Sequence, residues 1–191
     1  MTATDRSGWM ELDRYPQIIA FVAGLKELYD AIRAEVTKAT SSFETLECYN
    51  PGAGWVDEKW RSISLIRGGR VTEQVAKFSV TWAFLAQNAK HLLYPTGDVM
   101  FSILAPGCHI PKHSDTAKFW VTLGYGVLVP SGCGLAVGDD SREFREGEAY
   151  LFDQNSRHEA WNRSSQVRIN LLMDIWHPDI ALSERGRRED S

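Results

Sequence analysis

His113, Ser114 and Asp115 form an H-x-D element, and His158 follows at a distance in the second of two later candidate strands. Two neutral imidazoles and one carboxylate on a single ion leave adjacent coordination positions open. That suits non-haem Fe(II) chemistry, in which oxygen and a cosubstrate bind side by side. In an extended segment residues two apart point the same way, so His113 and Asp115 can converge on one ion while His158 arrives from a partner strand. The pattern alone is not specific, because the chain has five histidines and a surface position explains many such spacings.

Arg168 adds a second element. In QVRINLLMDIW, Arg168, Asn170, Leu172, Asp174 and Trp176 share one face of a strand, with Ile169, Leu171, Met173 and Ile175 on the other. Both faces are largely apolar, which predicts a strand buried on both sides. A guanidinium in such a strand is costly unless it meets an anion. Two readings are open: a structural ion pair with Asp174 or Glu148, or a bidentate clamp on the distal carboxylate of a bound dicarboxylate.

These residues need a scaffold, and the patterning supplies one. Ile18, Phe21, Val22, Leu25, Leu28, Tyr29, Ile32 and Val36 recur at helical spacing, predicting one amphipathic helix from Pro16 to Lys38. A second helix is expected from Thr81 to His91 with Thr81 as its cap, and a strand from Trp60 to Ile66. Later come five β-branched or aromatic segments: Val99 to Ala105, Phe119 to Val129, Gly134 to Gly138, Ala149 to Asp153 and Gln166 to Trp176. Short strands at this spacing suggest an antiparallel sandwich or jelly roll, so the fold class is α+β and mainly β, with N-terminal helices packed on the outside.

With 191 residues, 43% of them hydrophobic, the chain suffices for one domain. Its expected extent is 1–182, with a helical part over 1–58 and a β-barrel core over about 59–180. Residues 183–191, SERGRREDS, read as a solvated, disordered tail. A net charge of -4, with both signs mixed along the chain, argues against a nucleic-acid partner. No apolar run approaches the roughly 20 residues that span a bilayer, and the opening residues lack a signal-peptide core. No membrane association and a cytoplasmic location are therefore expected. The three cysteines, Cys48, Cys108 and Cys133, have no CxxC spacing, which predicts free thiols rather than a disulfide framework or a zinc knuckle.

FSILAPGCHIPKHSD, TLGYGVLVP, REGEAYLFDQNSRHEAWN and VRINLLMDIWHP, in that order, resemble the aspartyl/asparaginyl β-hydroxylase family. EKWRSISLIRGGR resembles the family's strand before the barrel, so the resemblance covers about Trp60 to Asp179. It implies a double-stranded β-helix of the cupin-like kind, with Fe(II) and 2-oxoglutarate as cofactors. Carried over by position, His113 and His158 match the two iron-binding histidines. Arg168 matches the arginine for the distal carboxylate of 2-oxoglutarate, and Ser102 the serine that assists it. Asp115 stands where animal members have glycine, which makes a full His113, Asp115, His158 ligand set possible. Its alternative role is to cap the Thr116-Ala117 turn. Before the Leu123-Gly124 pair the family's R-x-H is replaced by Phe119-Trp120-Val121-Thr122. Thr122, Lys118 and Asn170 are the candidates to receive the inner carboxylate instead.

Other residues read plainly. His109 lies across Pro111 from His113, which disfavours a helical metal pair and leaves a loop or surface histidine. His177 and Asp174 occupy positions that suit hydrogen bonding rather than ligation, and His91 suits a helix end. Asp139 and Asp140 read as a turn, and nothing visibly activates Cys108.

The function that follows is Fe(II)- and 2-oxoglutarate-dependent hydroxylation of an unactivated carbon, with release of succinate and carbon dioxide. O2 is the co-reactant. The expected substrate is a small-molecule or carrier-bound amino-acid derivative, such as the β-carbon of an aspartyl or asparaginyl residue. Two alternatives are kept. One is a barrel that binds a small anion without catalysis; the other is a cupin dioxygenase or isomerase using His109, His113 and His158 without 2-oxoglutarate.

Overall fold

The computed structural model describes residues 8–41, 46–48 and 58–185. In chain order the elements are β1 (Trp9–Met10), α1 (Pro16–Glu27), α2 (Tyr29–Ala39), β2 (Glu47–Cys48), β3 (Trp60–Arg67), β4 (Arg70–Val71) and α3 (Ser79–Asn88). There follow β5 (Val99–Leu104), β6 (His109–His113), β7 (Trp120–Leu128), β8 (Cys133–Val137), β9 (Asp140–Glu143), β10 (Ala149–Phe152), β11 (His158–Asn162), β12 (Arg168–Trp176) and α4 (Leu182–Arg185).

The larger sheet runs β1-β10-β7-β12-β5-β3-β2, with β4 on β3, and the smaller runs β6-β11-β8-β9. Among the described residues every strand pairing is antiparallel. From β5 to β12 the chain passes back and forth between the sheets, breaking the alternation only at the β8-β9 hairpin. That winding is a double-stranded β-helix, in a mainly β structure.

Alternation along the three central strands of the larger sheet divides apolar from polar work. Phe101 and Ile103 of β5, Val121, Leu123, Tyr125 and Val127 of β7, and Ile169, Leu171, Met173 and Ile175 of β12 all join Ile18, Leu25, Ile32 and Leu85 of the helices in one core. The opposite positions, Ser102, Thr122, Gly124, Arg168 and Asp174, face the second sheet. Each buried aliphatic side chain contributes about 1.5–3 kcal/mol. A slip of one residue would put Arg168 among the helices and Ile169 into the gap between the sheets, so the register is strongly fixed.

The single helix expected from Pro16 to Lys38 is broken at Leu28, whose φ of -98° and ψ of 6° end α1. The break sets the two halves against different neighbours. Gly24 of α1 admits the Phe84 ring of α3, which a Cβ would meet at 2.5 Å. Tyr29 of α2 instead donates its hydroxyl to the Val127 carbonyl at 3.1 Å.

The second helix begins at Ser79, not Thr81, and ends at Asn88, so His91 lies beyond it. Its N-terminus is capped from α2: Glu35 accepts from the backbone N–H groups of Val80 at 2.7 Å and Thr81 at 3.1 Å, and from the Thr81 hydroxyl at 2.8 Å. Thr81 is therefore a donor to a cap supplied by another helix. Trp9–Met10 pairs with β10, so the N-terminal part also adds strand to the barrel. Of the expected tail, Ser183 to Arg185 belong to α4, and 186–191 lie outside the described residues. Among the described residues no helix is long and apolar enough to cross a membrane. All three cysteines are free of disulfides.

Candidate metal and anion site

Between the sheets lies a cavity of about 270 Å3. His113, Asp115 and His158 stand at one end, and ligand atoms from all three lie within 4.8 Å of one another. Regular alternation on β6 would not have put His113 there. Ile110 already faces the cavity, so strict period two would turn Lys112 inward and His113 out. A bulge resolves this: Ile110 pairs with Ala160 and His113 with His158, so two steps on β11 match three on β6. The extra residue turns His113 back inward beside Ile110.

Both imidazoles are oriented by their own backbones. His113 Nδ1 lies 2.7 Å from the Pro111 carbonyl, and His158 Nδ1 lies 2.9 Å from that of Ser156. A carbonyl only accepts, so each Nδ1 carries the proton and each Nε2 keeps its lone pair. Burial, and after it the neighbouring His113, hold the His158 imidazole below its ordinary pKa. Both causes keep it neutral, the form a metal needs.

Asp115 lies just past the end of β6, where its backbone N–H donates to the Gln154 carbonyl at 3.0 Å. Its carboxylate, about half exposed, stands 3.8 Å from His158 Nε2. Convergence thus comes from a backbone anchor rather than from strand alternation. The Ala117 N–H is held by the Asn155 side chain at 2.8 Å, so the turn that Asp115 was expected to cap as its alternative role has another partner.

Arg168 stands at the far end, 2% exposed. Neither carboxylate of the structural alternative pairs with it: Glu148 faces Arg145 at 3.9 Å, and Asp174 accepts from the Asp98 N–H at 2.9 Å. Its Nε has no hydrogen-bond partner. The guanidinium lies over the Phe144 ring at 5.3 Å, and burial pulls its pKa down. Ser102, fully buried beside it in the cavity wall, accepts from Trp60 Nε1 at 3.0 Å and so keeps its hydroxyl proton to donate. The deep end therefore offers donors and no anion.

Thr122 lines the cavity, but its hydroxyl donates to Gln154 Oε1 at 2.5 Å. Gln154, 7% exposed and also in the wall, carries no signal in the sequence, since its neighbours read as an ordinary strand end. Asn170 is turned to Arg168 and Tyr150 rather than lining the cavity. Lys118 is exposed and Trp120 lines the mouth, stacked on Tyr94 at 4.6 Å. His109 is outside, paired with Glu159 at 2.8 Å on the surface, so the three-histidine set is not assembled. His177 accepts from the Asp179 N–H at 3.3 Å, a hydrogen-bonding role. Trp60 and Tyr150 were missed because each reads as a core aromatic.

A model of the aspartyl/asparaginyl β-hydroxylase family matches residues 26–178. The mouse aspartyl/asparaginyl β-hydroxylase is 27% identical over 128 residues, covering 66% of this chain and 17% of that protein. The ornithine lipid ester-linked acyl 2-hydroxylase of Rhizobium tropici is 30% identical over 167 residues, covering 83% of this chain and 58% of that protein. This chain thus spans less than two thirds of either relative. Among solved structures, the viral collagen prolyl hydroxylase of Paramecium Bursaria Chlorella virus-1 matches with a TM-score of 0.41 and 16% identity, covering 62% of this chain and 79% of that one.

Proposed function

The chain belongs to the aspartyl/asparaginyl β-hydroxylase family, and from that premise we propose that it is an oxygenase using Fe(II) and 2-oxoglutarate to hydroxylate an unactivated carbon. The observation that carries this is the pairing of two ends in one cavity: three convergent metal ligands, and a buried guanidinium whose Nε has no protein partner. The donor set fits Fe(II), being two neutral nitrogens and one hard oxygen. The deep end fits a carboxylate, being a guanidinium and a hydroxyl with a proton to give.

Iron and 2-oxoglutarate, when bound, supply oxygen activation, with succinate and carbon dioxide as co-products. The chain's own residues do the rest. His113 and His158 hold the metal through Nε2 and Asp115 through its carboxylate. Arg168 and Ser102 receive the distal carboxylate, and Phe144 covers the guanidinium face against water. At the metal end the Gln154 amide NH2, its oxygen held by the Thr122 hydroxyl, offers neutral donors to the inner carboxylate. The apolar wall formed by Ile110, Leu135, Phe152 and Leu172 excludes water between the two ends.

The substrate is a small amino-acid-derived molecule, such as an aspartyl or asparaginyl β-carbon. Once a five-carbon diacid is seated, a cavity of about 270 Å3 leaves room for a side chain rather than a folded domain. A barrel that merely binds an anion would use Arg168 but would not need His113, Asp115 and His158 converged. The test is succinate formation by the iron-loaded protein across free, carrier-bound and peptidyl aspartate and asparagine. Substrate-dependent succinate with a hydroxylated product supports the reading. No succinate with any candidate, together with no binding of 2-oxoglutarate, overturns it.

A further inference from the structure

The Arg168 side chain needs something to fix its position, because no carboxylate among the described residues does so and its Nε is unpartnered. Asn170, on the same face of β12 and fully buried, is the candidate. With its amide turned so that donors meet acceptors, Asn170 Nδ2 donates to the Ile169 carbonyl at 3.1 Å. Its Oδ1 accepts from Arg168 Nη1 at 2.9 Å and from the Tyr150 hydroxyl at 2.9 Å. That orientation is required, since a guanidinium cannot hydrogen-bond to an amide NH2.

Tyr150 reaches this point because the strand opposite it leaves a notch. On β7 its register partner is Gly124, where a Cβ would stand 2.0 Å from the tyrosine ring. The ring stacks on Phe144 at 4.5 Å, and Phe144 in turn lies under the guanidinium. Burial raises the Tyr150 hydroxyl to about 12, so it stays protonated and remains a donor at any working pH.

We propose that Tyr150 and Asn170 are positioning residues that fix the depth of the Arg168 guanidinium and thereby set the length of the 2-oxo diacid the cavity accepts. Asn170 Oδ1 takes one N–H of the guanidinium and leaves the others for the ligand. Tyr150 keeps Asn170 from rotating. The distance from the guanidinium to the metal end then becomes a property of the wall rather than of a flexible arginine. The inference rests on the clamp proposed above, but assigns two residues whose polar groups are turned to Arg168 and to each other.

The experiment is calorimetric binding to the full chain loaded with Mn(II), a redox-inert substitute for iron. The probes are oxaloacetate, 2-oxoglutarate and 2-oxoadipate, which differ by one carbon each. The wild-type chain should prefer 2-oxoglutarate. Tyr150→Phe should weaken that binding about tenfold and narrow the preference among the three, while Mn(II) affinity is unchanged. Asn170→Asp places a carboxylate against the guanidinium and should weaken all three on the order of a hundredfold. If Tyr150→Phe does not fold, Asn170→Asp decides. A wild-type chain that binds 2-oxoglutarate, with either variant retaining its affinity and its length preference, overturns the positioning role and leaves the clamp standing. Loss of Mn(II) binding along with the diacid in Tyr150→Phe also overturns it, because a general packing defect would do that. No diacid binding by the wild-type chain would overturn the clamp itself, and this inference with it.

Discussion

The two ends of the cavity are built on different principles. At the metal end, backbone carbonyls two residues away hold both imidazoles, and a backbone hydrogen bond to Gln154 carries Asp115 into place. At the deep end, side chains hold side chains: Asn170 and Phe144 for Arg168, and Trp60 for Ser102. The first kind of site depends on local chain path. The second depends on contacts between elements far apart in sequence, Trp60 with Ser102, Phe144 with Arg168 and Tyr150 with Asn170, so the two should fail in different ways when perturbed.

The largest effects belong to the metal end. His158→Ala removes one imidazole from the three convergent ligands, and His113→Ala removes the other. Both should abolish stoichiometric iron binding and turnover, measured by metal content and succinate release. If either variant retains its iron, that histidine is not a ligand.

Arg168→Met acts on the other end and should separate binding from stability. Affinity for 2-oxoglutarate should fall by about 2–5 kcal/mol as the clamp is lost. The ligand-free protein should become more stable, by about 1–4 kcal/mol, because a buried charge without an anionic partner is gone. Calorimetry and thermal melts of the metal-free protein check both signs. A variant destabilised without ligand would mean that Arg168 is chiefly a structural residue.

Asp115→Ala should weaken iron binding by about 1.4 kcal/mol or more, a factor of at least ten, without altering the fold. Its half-exposed position and loose 3.8 Å spacing from His158 Nε2 predict a smaller effect than loss of either histidine. Unchanged iron affinity and turnover would leave His113 and His158 as the metal's protein ligands.

The smallest effect concerns Asp174 at the cavity wall, whose carboxyl burial pushes up from 3.8 to about 7. Between those values the folded protein holds a proton that the unfolded chain has lost. Its stabilising contribution is therefore complete below pH 3.8 and is lost as pH rises through about 7. Melting temperatures of the metal-free protein should fall by a few degrees across that window, and Asp174→Asn should flatten the fall. An identical slope in the variant would show that another group titrates there.

The same contrast explains what could be read in advance. The H-x-D spacing, the later histidine and the alternation of β12 are local patterns that single out His113, Asp115, His158 and Arg168 as candidates, and all four line one cavity. The larger sheet was legible for the same reason, since period two separates Ile169, Leu171 and Met173 from Arg168 and Asp174. The bulge before His113 was not legible, because it shows only when β6 is laid against β11. Nor were the roles of Asn170, Tyr150 and Gln154, which arise across strands. Asn170 was expected to face the ligand and is instead turned to Arg168. The break at Leu28 leaves no mark in the sequence because the apolar spacing runs through it unchanged, and the Glu35 cap leaves none because it comes from another helix.

The central claim is that one diacid spans both ends, touching the metal at His113, Asp115 and His158 and the guanidinium of Arg168. Calorimetric titration of 2-oxoglutarate into metal-free and Mn(II)-loaded protein, each with Arg168 intact or replaced by methionine, tests it most directly. Tight binding is expected only when metal and arginine are both present, with a marked loss when either is removed. Equal affinity in the metal-free protein, or undiminished affinity in Arg168→Met, would contradict it.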